Sequence, residues 1–191
     1  MKTEIKIIKL FIADRKPKTI REISKAIGSD YRITYIAVQK LLEKNILSAK
    51  TVGKSSLCSL NPAYFGFEIF KAEEERKNAA LNNRNLSQLY KEIMAKAGTS
   101  FFVLLLFGSY AKQKQTKSSD IDLMFICDDK NFEKRIIESL YLLPLKTHSL
   151  AFTEQEFRKM KDSKESNVVK ETIQNNIILN GSEAYYRMIN G

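Results

Sequence analysis

The fold of the second half of this chain is decided by the stretch Phe101-Phe102-Val103-Leu104-Leu105-Leu106-Phe107-Gly108-Ser109. Seven consecutive apolar residues predict a strand that is covered on both faces, because a strand with one solvent face would alternate apolar and polar residues. Gly108 and Ser109 follow at once, and residues 110–114 can open a short helix. Glycine lets the backbone approach a ligand closely, serine offers a hydroxyl, and the first amides of a helix point toward an anion. The stretch therefore predicts a phosphate-binding turn at the end of a buried strand.

A second strand is predicted ten residues after Ser109, where Asp120-Ile121-Asp122 leads into four further apolar residues. Because side chains alternate along a strand, Asp120 and Asp122 are expected to face one point. Two carboxylates at the mouth of an apolar strand are costly unless a cation or another partner compensates them. Mg²⁺ prefers carboxylate and phosphate oxygens, so the pair predicts a magnesium site. The alternative is a pair of acids that form salt bridges with nearby lysines.

Taken in this order, the Gly-Ser turn and the Asp-x-Asp pair resemble the minimal nucleotidyltransferases of the polymerase-beta-like superfamily, from about residue 100 to the C-terminus. The resemblance implies that Gly108 and Ser109 hold the phosphates of ATP or another nucleoside triphosphate. It also implies that Asp120 and Asp122 are catalytic and bind Mg²⁺. The expected reaction is transfer of a nucleoside monophosphate, AMP if the donor is ATP, to a partner macromolecule. Small members of the superfamily often act as antitoxins that modify a partner toxin, so a protein acceptor is one candidate.

The sequence departs from this family at a third acidic position. Active members commonly place another carboxylate on a later strand, whereas the candidate strand here, residues 145–152, contains no acid. His148 lies in that strand, and a general base and a structural histidine are its two interpretations. Two glutamates follow, but Thr153-x-x-Glu156 predicts a helix capping box. The alternative function is therefore a nucleotide-binding transcriptional regulator whose nucleotidyltransferase domain no longer catalyses.

The N-terminal residues predict three short helices and a hairpin. Apolar residues at helical spacing predict helices over residues 4–13, from Thr19, and over about 30–44. Thr19-Ile20-Arg21-Glu22 predicts a capping box, and Gly28 suits a left-handed helix end. Two strand-like pieces, residues 46–51 and 55–60, are joined by a turn at Gly53. This order resembles a winged helix-turn-helix.

That resemblance implies binding to double-stranded DNA. The third helix would enter the major groove and the hairpin would contact phosphates. The residues expected at the DNA are Arg32, Tyr35, Gln39 and Lys40 on the helix, and Lys50 and Lys54 on the hairpin. The alternative is a helical module for dimerisation or partner docking, since exposed aromatic and aliphatic side chains suit a protein interface equally well.

Composition supports an ordinary globular protein with a basic N-terminal part. Of the net charge of +10, residues 1–62 carry 13 basic and five acidic side chains, as expected of a part that faces a polyanion. No apolar run suggests a membrane span and the N-terminus lacks a signal peptide, so we expect a cytoplasmic protein with no membrane partner. The two cysteines are far apart, which favours inert thiols.

We therefore expect an α+β protein of three parts. These are a winged helix-turn-helix over residues 1–62, a helical connector over residues 63–98, and a minimal nucleotidyltransferase domain, an α/β fold with a mixed sheet, over residues 99–191.

Overall fold

The computed structural model describes residues 2–53, 55–116, 118–129, 131–141 and 143–190, which form two compact units that divide between Glu74 and Glu75. The first unit contains six complete elements and the beginning of a seventh, which continues into the second unit: α1 (Lys2–Ala13), β1 (Lys18–Thr19), α2 (Ile20–Ile27), α3 (Tyr31–Glu43), β2 (Leu47–Val52), β3 (Ser55–Leu60) and α4 (Phe67–Leu81). The second unit continues with α5 (Arg84–Lys96), β4 (Val103–Phe107), α6 (Gly108–Ala111), β5 (Ile121–Ile126), α7 (Phe132–Leu140), β6 (Thr147–Phe152), α8 (Glu154–Asp162), α9 (Val168–Gln174), β7 (Ile177–Asn180) and α10 (Ser182–Asn190).

The three helices predicted for the first unit are confirmed. The capping box at the start of α2 is present, because the Thr19 amide donates to a Glu22 carboxylate oxygen at 2.7 Å and the Thr19 hydroxyl accepts from the Glu22 amide at 3.2 Å. Gly28 ends this helix with φ of +61°, a backbone region that glycine enters at little cost. Asp30 caps α3 by accepting from the amides of the next turn.

The hairpin is also confirmed, but its sheet has a strand that the sequence did not predict. Strands β2 and β3 pair antiparallel up to Val52 and Ser55, and Gly53 has φ of +60° in the turn. The unpredicted strand, β1, pairs antiparallel with β3, so the sheet order is β1-β3-β2. Two residues before a capping box are too few to show the alternation by which strands are recognised.

The predicted helical connector, residues 63–98, contains the two helices α4 and α5. The break lies at residues 82–83, where the Asn83 side chain accepts from the amides of Asn85 and Leu86 and so begins α5. An apolar stripe of α5 and the residue after it is buried in the core of the second unit, and its members are Leu86, Leu89, Ile93 and Ala97.

A four-stranded sheet of order β6-β5-β4-β7 organises the second unit and confirms the expected mixed sheet. Strand β4 pairs antiparallel with both β5 and β7, while β5 and β6 run parallel. The four apolar residues 103–106 of β4 are all buried, as the continuous apolar run predicts. One face of the sheet packs against α5 and α7 through a core that includes Leu106, Leu123 and Ile136.

Two further findings concern the helices and the thiols of the described residues. None of the described helices combines the length and the apolar character needed to cross a bilayer. Cys58 and Cys127 are free thiols, and burial raises the pKa of both, which keeps them protonated at neutral pH.

Candidate functional site

The turn at the end of β4 is held by a glycine that no other residue could replace without movement. Gly108 has φ of +67°, in the left-handed region. A β-carbon placed on it would lie 2.0 Å from Oδ2 of Asp122 and 2.8 Å from the carboxyl carbon. Such distances are far inside van der Waals contact, so the absence of a side chain allows the Asp122 carboxylate to lie against the turn.

Strand pairing brings Asp122 to this position. In the antiparallel ladder Asp122 is opposite Phe107, the last residue of β4, and in the parallel ladder it is opposite His148 of β6. The Asp122 side chain is 25% exposed, and its Oδ1 lies 3.3 Å from Nδ1 of His148. Asp122 is therefore flanked by a glycine turn on one side and an imidazole on the other, with one partly solvated face.

Ser109 and Asp120 lie close to this centre along the chain. Ser109 is the second residue of α6 and is half-buried, and its carbonyl accepts from the Lys114 amide at 2.9 Å. Helix α6 begins at Gly108, two residues earlier than expected, so the Gly-Ser pair belongs to its first turn. Asp120 is exposed and directly precedes β5. A hydrogen bond of 2.9 Å from the Thr116 amide to the Ser119 hydroxyl closes the loop before it.

The carboxylate that the structure places against the turn is that of Asp122, while Asp120 lies two residues before it, directly before the same strand. Among the residues that the structure describes, no group of three or more His, Cys, Asp or Glu side chains is placed to hold a metal ion. Strand β6 contains no acid, and the side chain that faces Asp122 from that strand is His148. This contact was not predicted, because sequence spacing does not show which residues of two parallel strands lie side by side.

The residues predicted to contact DNA on α3 lie on the helix surface. Arg32, Tyr35 and Lys40 are exposed, Gln39 is half-buried, and Val38 is buried. The outer face of α3 thus presents two cations and a phenol ring, in a unit with an excess of basic residues.

The same face also carries large apolar side chains, while the hairpin adds a cation. Tyr31, Ile33 and Ile36 are 52%, 54% and 48% exposed. Exposed apolar side chains of this size are also typical of protein interfaces, which is the alternative function of this helix. Lys50 of β2 is exposed, as a phosphate contact requires. Lys54, the other predicted hairpin contact, lies outside the described residues.

Comparison with known proteins identifies a family for the second unit. A family model described as Polymerase beta, Nucleotidyltransferase matches residues 88–185, a span that contains Gly108, Ser109, Asp120, Asp122 and His148. Neither the curated proteins nor the solved structures compared with the chain include a match. The matched span lies within the second unit and covers its whole sheet.

Proposed function

The chain belongs to the polymerase beta nucleotidyltransferase family, and on that premise we propose that it transfers a nucleoside monophosphate, AMP from ATP, to a partner macromolecule in a reaction that depends on Mg²⁺. The observation that carries the proposal is the approach of the Asp122 carboxylate to Gly108, where a β-carbon would lie 2.0 Å from Oδ2. This contact supports a single site in which a phosphate-binding turn and a metal-binding carboxylate act on the same substrate.

The donor set of this site suits magnesium. Mg²⁺ usually keeps several water ligands and is bound through one or two carboxylates together with substrate phosphates. Asp120 and Asp122 would supply the carboxylates, and the triphosphate would supply further oxygens. The bound ion would neutralise negative charge on the triphosphate and so favour displacement at phosphorus. A third protein ligand is not required by this arrangement.

Gly108 and Ser109 would hold the β- and γ-phosphates, through the backbone of the turn and the serine hydroxyl. An oxygen of the acceptor then attacks the α-phosphorus, and the bond from that phosphorus to the bridging oxygen of the β-phosphate breaks. Pyrophosphate leaves with the bonding electron pair, and the acceptor's proton passes to solvent. Positioning and charge stabilisation do most of the work in such displacements, so the rigid β4–β5 ladder is a suitable base for the site.

One observation favours a second candidate, a nucleotide-binding transcriptional regulator. The side chain beside Asp122 on β6 is His148 and not a carboxylate, and its Nδ1 lies 3.3 Å from Oδ1 of Asp122. A site with two acids and an imidazole could retain nucleotide without turning it over. The two candidates share nucleotide binding and differ in transfer.

Labelled ATP separates the two candidates. The full-length protein is incubated with α-labelled ATP, Mg²⁺ and cell extract, and transfer of label to macromolecules is followed beside ATP affinity by calorimetry. We expect transfer that is lost in Asp122→Asn and kept in Asp162→Asn, a control carboxylate of the same unit that is 72% exposed. ATP binding without transfer would support the regulator, and no ATP binding would refute both.

For the first unit we propose a winged helix that binds double-stranded DNA. Three features support it: the order of helices and strands, the three-stranded antiparallel sheet, and the exposed Arg32, Lys40 and Lys50. Helix α3 would lie in the major groove and the β2–β3 hairpin along the phosphates.

A fluorescent duplex tests this proposal by anisotropy across a salt series. Affinity should fall steeply as salt rises, because lysine and arginine contacts release counterions from DNA. Arg32→Ala should weaken binding, whereas Lys71→Ala, an exposed lysine of α4, should not. Binding that is absent or insensitive to salt would refute the DNA proposal and leave the apolar face of α3 as a protein interface.

A further inference from the structure

A pocket of about 210 Å³ lies beside strand β6, on the other side of Asp122 from Gly108. The end of α7 and the first half of β6 form its walls, which consist of Ile137, Leu140, Tyr141, Thr147, His148 and Ser149. The start of β6 runs parallel to the start of β5, so this pocket lies at the same end of the sheet as Asp122.

The lining combines the aliphatic side chains of Ile137 and Leu140 with three hydroxyls and the imidazole of His148, and its described residues include no carboxylate, lysine or arginine. The Ser149 hydroxyl is buried and has no hydrogen-bond partner within the described part of the chain. A buried polar group without a partner is unfavourable, and rotation about χ1 of Ser149 toward a ligand in the pocket would give this hydroxyl the hydrogen bond that it lacks. Tyr141 is 84% exposed at the rim, where its ring can contact a ligand without belonging to the core.

The pocket lies on the side of Asp122 from which the acceptor is expected to approach. Across this end of the sheet the order is Gly108, Asp122, His148, because β5 lies between β4 and β6. Attacking and leaving oxygens are roughly in line in displacement at phosphorus. If pyrophosphate leaves toward Gly108, the acceptor approaches from the opposite side, which is the side of β6.

Strand β6 also offers an edge to an extended segment. It is the outer strand of its sheet, and the carbonyls of Lys146 and Phe152 accept at 2.9 Å from the amides of Ile121, in β5, and of Cys127, directly after β5. By alternation, the backbone groups of Thr147 and Ser149 point away from β5. A segment paired there would direct one side chain to the face of Ser149 and the next side chain to the face of Asp122.

We propose that this pocket is the acceptor-binding site and that it takes an uncharged, ring-sized side chain of a protein acceptor. The acceptor segment pairs with β6, so that a hydroxyl-bearing residue next to the anchored ring faces Asp122. This inference rests on the proposed nucleotidyl transfer. The size is appropriate, since cavities of about 150 Å³ with aliphatic walls bind benzene.

Phenol and toluene serve as probes of the pocket, because they share ring size and differ in the hydroxyl. Amide shifts of the full-length protein are followed by NMR during titration. Phenol should bind roughly three- to tenfold more tightly than toluene, and Ser149→Ala should abolish the difference. Tyr141→Ala should weaken both probes, while Phe101→Ala, an aromatic that is 88% exposed at the other end of the sheet, should change neither. Absence of shifts at Thr147 and Ser149 would overturn the inference.

Label transfer then shows whether the pocket binds the acceptor or the nucleotide. Tyr141→Ala should reduce transfer from ATP to extract proteins several-fold and leave the ATP dissociation constant unchanged. If ATP affinity falls in parallel with transfer, the pocket holds the nucleoside and the acceptor assignment is overturned. If the unaltered protein binds ATP and phenol but transfers no label, the proposed transfer fails and the acceptor role fails with it. A pocket that binds no phenol overturns only the inference.

Discussion

Replacing Gly108 by alanine should remove nucleotide binding while leaving the fold intact. The new β-carbon would start 2.0 Å from Oδ2 of Asp122, and real β-carbons are essentially never closer than 3.0 Å to another heavy atom. The carboxylate must therefore move by about 1 Å, and a misplacement of this size at a reacting centre can lower the rate by about a hundredfold. The positive φ adds backbone strain of about 1 kcal/mol, which a folded unit of this size can tolerate.

The assay separates displacement of the carboxylate from backbone strain. Transfer of label from ATP measures the rate, calorimetry measures affinity for ATP with Mg²⁺, and urea unfolding measures stability. Gly28→Ala is the matched control, because Gly28 has φ of +61° and its β-carbon would meet no atom within 4 Å. Both variants should lose stability through strain at positive φ, and only Gly108→Ala should lose ATP affinity. Affinity within twofold of the unaltered protein would refute the idea that Asp122 and the turn act on one ligand.

Three further predictions use other parts of the chain. His148→Asp would place a third acid beside Asp122. We expect tighter Mn²⁺ binding by calorimetry and, without metal, lower stability in urea. Unchanged metal affinity would contradict this prediction. Lys50→Ala should reduce the slope of log affinity for DNA against log salt by about one, and an unchanged slope would exclude a phosphate contact. Asn83→Ala should lower the free energy of unfolding by about 1 kcal/mol, because two amides of α5 lose their acceptor; equal stability in urea would show that the cap contributes nothing.

Local chemistry explains why much of the fold could be predicted from the sequence. The capping boxes at Thr19 and Thr153 are both present, since each depends on residues only three positions apart. The buried strand β4 was recognisable because seven apolar residues in a row have few other interpretations. Gly108 was expected to let a ligand approach the backbone closely; in the structure the group that lies against it is the Asp122 carboxylate, which spacing along the chain did not indicate.

Features that depend on pairing between distant segments could not be predicted. The contact of His148 with Asp122 joins residues 26 positions apart and follows from the parallel register of β5 and β6. The pocket at Ser149 likewise requires knowing that the end of α7 packs beside β6. Strand β1 escaped prediction because it has two residues and gains its hydrogen bonds from β3. In each case the residues are visible in the sequence, but the pairing or packing that brings them together is not.

The register of β5 in turn depends on its apolar side chains rather than on a ligand. Leu123 and Phe125 lie in the core beneath α5 and α7, while Asp122 faces the other side of the sheet. A slip of one residue would exchange these faces and bury the Asp122 carboxylate in the core, at a cost that no surface contact could offset. Core packing therefore places Asp122 between Gly108 and His148 before any nucleotide binds. This arrangement makes a pre-organised site, and it predicts that variants of the core face disturb the site only when they also unfold the sheet.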